Sequence, residues 1–223
     1  MGHLARAFLG LTLLAATLVG RAEAHPHIFI DAGVTLVFDE DGRLGAVRIV
    51  WAYDELYSLL IVEERGLDPD FDGKLTEAEQ ADLSGFDMNW IEGYEGDAYL
   101  MLDGVQIALS EPLEWDAAYE DGRIVTTHLR ALPDRIEVAA EPAILQVYDP
   151  TYYTAYQLTL PTRMENAPES CQSQVFVPDF EAAGDRLRDA LREFMGSEDA
   201  FLEDDFPPVG EFFAEEVRVT CAP

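Results

Sequence analysis

The chain has 223 residues, 48% of them hydrophobic, and its 44 acidic residues against 14 basic ones set a formal net charge of −30. Such a charge repels nucleic acid and anionic membrane faces, which excludes both as partners. The apolar content, with 12 Phe, 9 Tyr and 3 Trp, is ample for a folded core.

Residues 1–24 read as a secretory signal peptide. Arg6 lies in a short basic front, Ala7 to Val19 is almost wholly apolar, and Ala22-Glu23-Ala24 is a cleavage signal. The apolar run is too short to cross a membrane, and no other segment approaches the ~20 apolar residues a spanning helix needs. Cleavage after Ala24 starts the mature chain at His25, periplasmic or secreted, with residues 25–223 as a single domain. It removes Arg6, Arg21 and Glu23, so the charge moves from −30 to −31. The acids are scattered rather than blocked, which suits solubility in a salty medium.

The new amino end reads His25-Pro26-His27-Ile28-Phe29-Ile30-Asp31. In an extended chain alternate residues share a face, so His25, His27, Phe29 and Asp31 point one way. An N-terminal histidine can chelate through its amine and its ring. His27 would add an imidazole and Asp31 a carboxylate, a donor set suited to nickel, cobalt, zinc or copper. Pro26 has no N–H to lose, so the square-planar mode using deprotonated backbone nitrogens is blocked. The competing reading is two histidines at a frayed terminus.

From His27 to Phe38 and from Leu44 to Tyr53 the alternation predicts a long antiparallel hairpin about the turn Asp39–Gly42. Residues 54–65 carry Leu56, Leu59 and Leu60 at helical spacing, with Gly66 as a stop. The strongest pattern in the chain follows, from Asp68 to Glu79. As a twelve-residue calcium loop it has Asp68, Asp70 and Asp72 at positions 1, 3 and 5, and Gly73 at the sharp turn. Lys74 offers its carbonyl, Thr76 stands at position 9, and Glu79 is the bidentate ligand at 12. The alternatives are a solvated acidic turn and a capping box of Thr76 with Glu79. A second helix is predicted from Ala78 to about Tyr94, weakened at Gly85, so that residues 54–94 form an inserted EF-hand-like unit. With no second copy in the chain, a structural role for calcium is favoured over signalling.

Strands are predicted again over 98–102, 105–109, 113–119, 123–132, 135–140 and 144–148, with 152–160 as one more. A helix through Phe180, Leu187, Leu191 and Phe194 and a strand over 217–221 close the chain. The fold class is therefore α+β, an antiparallel meander or sandwich with the helix–loop–helix inserted early and a helix near the C-terminus. Strand order is not legible. Cys171 and Cys221 suit an oxidising compartment and are expected to pair as one disulfide.

His128 lies on a predicted strand, either as a distant ligand of the amino-terminal site or as an ordinary core histidine. Tyr148-Asp149-Pro150-Thr151-Tyr152-Tyr153 is an aromatic turn that packs in the core or lines a pocket. No nucleophile motif or phosphate-binding glycine loop is present, so an enzymatic role is left open but not favoured.

Several stretches together resemble a known family: the signal peptide ending before His25-Pro26-His27, Val50-Trp51-Ala52-Tyr53-Asp54-Glu55, the acidic loop, Val147 to Tyr153, and the tail from Val209 to Cys221. The chain is similar to the bacterial domain-of-unknown-function family 1007, described as uncharacterised periplasmic components of ABC-type transport systems. The resemblance implies a secreted protein of a kind often encoded beside nickel or cobalt transporters. The expected function is metal handling for such a transporter, with calcium structural. The alternatives are a secreted copper enzyme whose N-terminal histidine is joined by His128, and a calcium-stabilised scaffold module.

Overall fold

The computed structural model describes residues 26–196 and 207–222. The expected signal peptide and His25 lie outside them. β1 (Ile28–Phe38) and β2 (Leu44–Tyr53) form the long hairpin, in register from Ile30 opposite Tyr53 to Phe38 opposite Leu44. The alternation of β1 turns Ile30, Ala32, Val34, Leu36 and Phe38 into the core. The Asp39 carboxylate closes the turn by accepting the N–H groups of Asp41 and Arg43.

The hairpin anchors the first sheet. β6 (Arg123–Ile136) pairs with β2, and β5 (Leu113–Glu120) pairs with β6 across Asp121–Gly122, both at positive φ as a tight hairpin turn requires. On the other side β1 pairs with β8 (Thr154–Gln157) and β9 (Arg163–Glu165), both in parallel, so this sheet is mixed rather than a pure meander. The second sheet is antiparallel throughout. Its order is β10 (Cys171–Phe176), β11 (Glu216–Cys221), β7 (Ala143–Val147), β3 (Ala98–Leu102) and β4 (Val105–Ile107). Val34 and Ile49 of the first sheet share one apolar cluster with Leu100, Leu145 and Val219 of the second. The fold class is α+β, as expected. Cys171 and Cys221 are register partners with their sulfurs 1.97 Å apart, at bonding distance.

Among the described residues, three α-helices accompany the sheets. α1 (Glu55–Glu64) is capped by Asp54, whose carboxylate accepts the Tyr57 N–H. It buries Ser58 and Val62, while Leu56, Leu59 and Leu60 lie outward. α2 (Glu77–Leu83) is much shorter than the predicted second helix. Gly85 stops it with φ +75, a conformation side-chain-bearing residues rarely adopt, and a Cβ there would come within 2.9 Å of the Trp115 indole nitrogen. Residues 84–97 instead run irregularly over the inner face of β6. Gly96 (φ +67) presses so close to the Trp90 ring that a Cβ would lie 2.2 Å from it. α3 (Phe180–Met195) is the predicted C-terminal helix, capped by Asp179. Residues 137–140 are not a strand, and β9 and β10 appear where none was predicted.

Candidate functional site

The acidic loop is built from both of its ends. α1 finishes at Arg65, and Gly66 at φ +67 turns the chain so that Leu67 enters the core. Asp68, at φ +51 and only 8% exposed, then accepts the N–H groups of Asp72 and Gly73, each at 3.0 Å, one on each carboxylate oxygen. Asp72 in turn accepts the Lys74 N–H at 2.9 Å. These bonds coil five residues around a common centre. One carboxylate oxygen each from Asp68, Asp70 and Asp72 lies within 4.8 Å of the others, and this is the only such acidic, histidine or cysteine trio among the described residues. Three like charges at that spacing repel, and a hard cation between them relieves the repulsion.

The far end of the loop does something further. Glu79 Oε2 accepts both the N–H and the hydroxyl of Thr76 at 2.7 Å, while the Thr76 hydroxyl accepts the Glu79 N–H, a complete capping box for α2. The Thr76 N–H leads in holding the Glu79 carboxyl below its ordinary range. So the residue expected as the bidentate ligand has one oxygen occupied as a cap. The alternative of a helix cap is present in the geometry alongside the aspartate trio. Lys74 and Thr76 are exposed at the loop surface. All donors here are oxygens, the chemistry calcium takes.

The amino end is arranged differently from the expectation. His25 lies outside the described residues. His27 begins β1, with its N–H donated to the Tyr153 carbonyl at 2.8 Å and its ring 4.9 Å from that of Tyr153. Phe29 and Asp31 follow on the outer face, as alternation requires. But four strand residues separate His27 from Asp31 by ~13 Å, too far for one ion. Asp31 is also engaged, with Arg123 at 2.7 Å and the Thr159 hydroxyl on its other oxygen. Burial pushes the Asp31 carboxyl up, and these two partners more than reverse it. Asp31, Arg123, Phe29 and Leu56 instead line a surface hollow of about 490 Å³.

His128 is not brought to His27. It pairs with Ile49, which pairs with Val34, so it stands seven residues along β1 from His27, ~23 Å in strand length. Its ring is fully buried, edge-on to Trp51 at 4.7 Å and Trp90 at 5.7 Å. Neither ring nitrogen finds a hydrogen-bond partner, and burial lowers its pKa to about 3. It is a neutral core histidine.

Around His128 lies a polar layer that the sequence reading missed. On β6 the inward residues Thr126, His128 and Arg130 interrupt the apolar row between Ile124 and Leu132. The irregular stretch 84–97 supplies their partners. Asp87 accepts from Thr126 and Tyr53, both at 2.8 Å, and burial raises its pKa. Arg130 donates to the carbonyls of Ser110, Glu95 and Leu109 and lies 4.7 Å over the Trp90 ring. Asp97, held at φ +49, accepts from Tyr156 at 2.8 Å, and burial lifts its pKa to about 7. Asp97 and Asp149 line a second hollow of about 430 Å³, so the aromatic turn does border a pocket. The available signal was the alternation of polar residues along β6, which marks a buried polar row only once the strand's inner face is known.

No curated protein matches the chain. Residues 10–221, nearly its whole length, match the family described as Protein of unknown function (DUF1007), and with its mixed two-sheet fold and acidic loop the chain belongs to that family.

Proposed function

We propose that the chain is a secreted metal-binding protein in which the Asp68–Glu79 loop takes calcium and the amino end takes a transition metal for a membrane transporter. The carrying observation is the aspartate trio, with oxygens within 4.8 Å of one another at the turn between two helices. Calcium would draw on Asp68, Asp70, Asp72, the Lys74 carbonyl, Thr76 and the Glu79 carboxylate. Its role is structural: it locks the loop between α1 and α2. Signal-peptide cleavage would expose His25, whose amine and ring with His27 form the exchangeable site. Asp31 and His128 are left out of that site because each is held elsewhere. The transporter partner, nickel or cobalt, rests on the family resemblance.

A second reading has an observation in its favour. The Asp31–Arg123 pair removes one expected ligand from the amino end, which suits a calcium-stabilised scaffold with no transition metal. The copper-enzyme reading has lost its second imidazole. Calorimetric titration of nickel, zinc and copper into protein beginning at His25, and into a version beginning Gly-His25, separates the two survivors. The carrier reading expects binding to the native start and sharply weaker binding to the Gly-extended one. Equal affinities would show that the free amine is not a ligand, and no binding to either would leave the calcium scaffold.

A further inference from the structure

The outward face of α1 is apolar, and it is held outward. Leu56, Leu59 and Leu60 are 77%, 54% and 46% exposed, and their i, i+3, i+4 spacing puts them side by side. The opposite face is fixed by bonds that do not permit rotation. Ser58 Oγ accepts the N–H of Ile124 at 2.9 Å in the core, and Val62 is 4% exposed beneath it. At the helix start, Phe29 donates its N–H to the Asp54 carboxylate, and Asp54 returns its N–H to the Phe29 carbonyl, both at 2.9 Å. Burying the leucines would leave the buried Ser58 hydroxyl and Ile124 N–H unpaired, so the stripe stays in water. Leu56 then continues into the hollow of about 490 Å³, facing Phe29, itself 54% exposed. Single exposed leucines are ordinary, but a contiguous patch opening into a hollow marks an interaction surface.

Its rim selects the partner. Asp54, Glu55, Glu63 and Glu64 flank the stripe. The nearby arginines are already engaged: Arg65 with the Asp82 carbonyl, Arg123 with Asp31 and with the carbonyls of Ala52 and Tyr53. A second copy of a chain carrying −30 would oppose the rim with the same acids, and an anionic lipid surface would be repelled as well. We propose that this face docks a basic, apolar-faced segment of another protein, with its apolar side chains on the leucines and its Lys or Arg residues on the rim.

The test uses the purified protein and a fluorescein-labelled amphipathic helical peptide of leucine and lysine, with a leucine–glutamate peptide as counterpart, read by anisotropy at physiological ionic strength. The protein is expected to bind the first and not the second. The triple variant Leu56→Gln, Leu59→Gln, Leu60→Gln keeps both helix propensity and net charge, and is expected to weaken binding by about tenfold or more, as truncating an apolar anchor does. Should it fail to fold, Leu56→Gln alone, at the mouth of the hollow, is expected to weaken binding in the same direction. Glu55→Gln with Glu63→Gln is expected to reduce the salt dependence. Unchanged binding by a folded leucine variant would overturn the proposal, since net charge alone would then attract the peptide. Self-association in sedimentation that the leucine variant abolishes, or flotation with phosphatidylglycerol vesicles, would overturn it in favour of a second copy or a membrane.

Discussion

Two carboxylate-rich regions of this molecule obey opposite electrostatics. In the loop, Asp68, Asp70 and Asp72 sit within 5 residues of one another, Asp70 and Asp72 exposed, their charge screened by water. In the layer between the sheets, Asp97 is buried and Asp87 partly so, and both are pushed toward the neutral acid. One region gathers negative charge that a cation can complete; the other suppresses it by burial, against the opposing pull of the tyrosine and threonine hydroxyls that donate to the carboxylates. The same residue type therefore reads as a ligand at the surface and as a hydrogen-bonding core group inside. Exposure decides which.

The largest effect is expected at Arg130. Arg130→Met would leave the carbonyls of Ser110, Glu95 and Leu109 without their part-buried donor and cost about 3 kcal/mol, at the upper end for acceptors left unsatisfied. Urea unfolding measures it; a loss no larger than that of an exposed arginine such as Arg192 would show that the layer adds little. Asp97 comes next and sharpens the contrast. Its folded pKa is raised to about 7 from an ordinary 3.8, so the stability it contributes is full below 3.8 and is lost as pH rises to about 7. Asp97→Asn should remove that fall from the stability–pH curve while wild type retains it.

His128 has the opposite sign. Its folded pKa is lowered from 6.5 to about 3, so stability is full above 6.5 and falls as pH drops toward 3, because only the unfolded chain takes the proton. His128→Leu should flatten the acid side of the curve. The smallest intrinsic effect belongs to the loop. Without calcium, Asp70→Asn should change stability by under about 0.5 kcal/mol, as exposed substitutions do. With calcium at a hundred times its dissociation constant, wild type should gain about 2.7 kcal/mol and the variant less. An identical melting temperature for wild type in chelator and in millimolar calcium would remove the calcium site.

What the sequence determined by itself is whatever depends on near neighbours along the chain. The alternation in Ile28–Phe38 and Leu44–Tyr53 specifies a hairpin, because one face must be buried and a short turn of five residues joins the strands. Alternating aspartates ahead of Gly73 specify a coil of oxygens, because the bonds from the Asp72 and Gly73 amides to Asp68 span only a few residues. Two cysteines in the whole chain point to one pair. The tertiary structure decided everything that needs a distant partner. β10 begins with Cys171-Gln172-Ser173-Gln174, a poor strand sequence, and exists by pairing with β11. Asp31 is a plausible ligand until Arg123 arrives beside it. The helix predicted to Tyr94 gives way because Gly85 and Gly96 allow residues 84–97 to lie over Thr126, His128 and Arg130 and satisfy that polar row. α1 shows its leucines to solvent because a buried bond from Ser58 reaches 66 residues to Ile124. Periodicity states which residues share a face of a helix, but only a partner elsewhere in the chain determines which face is buried.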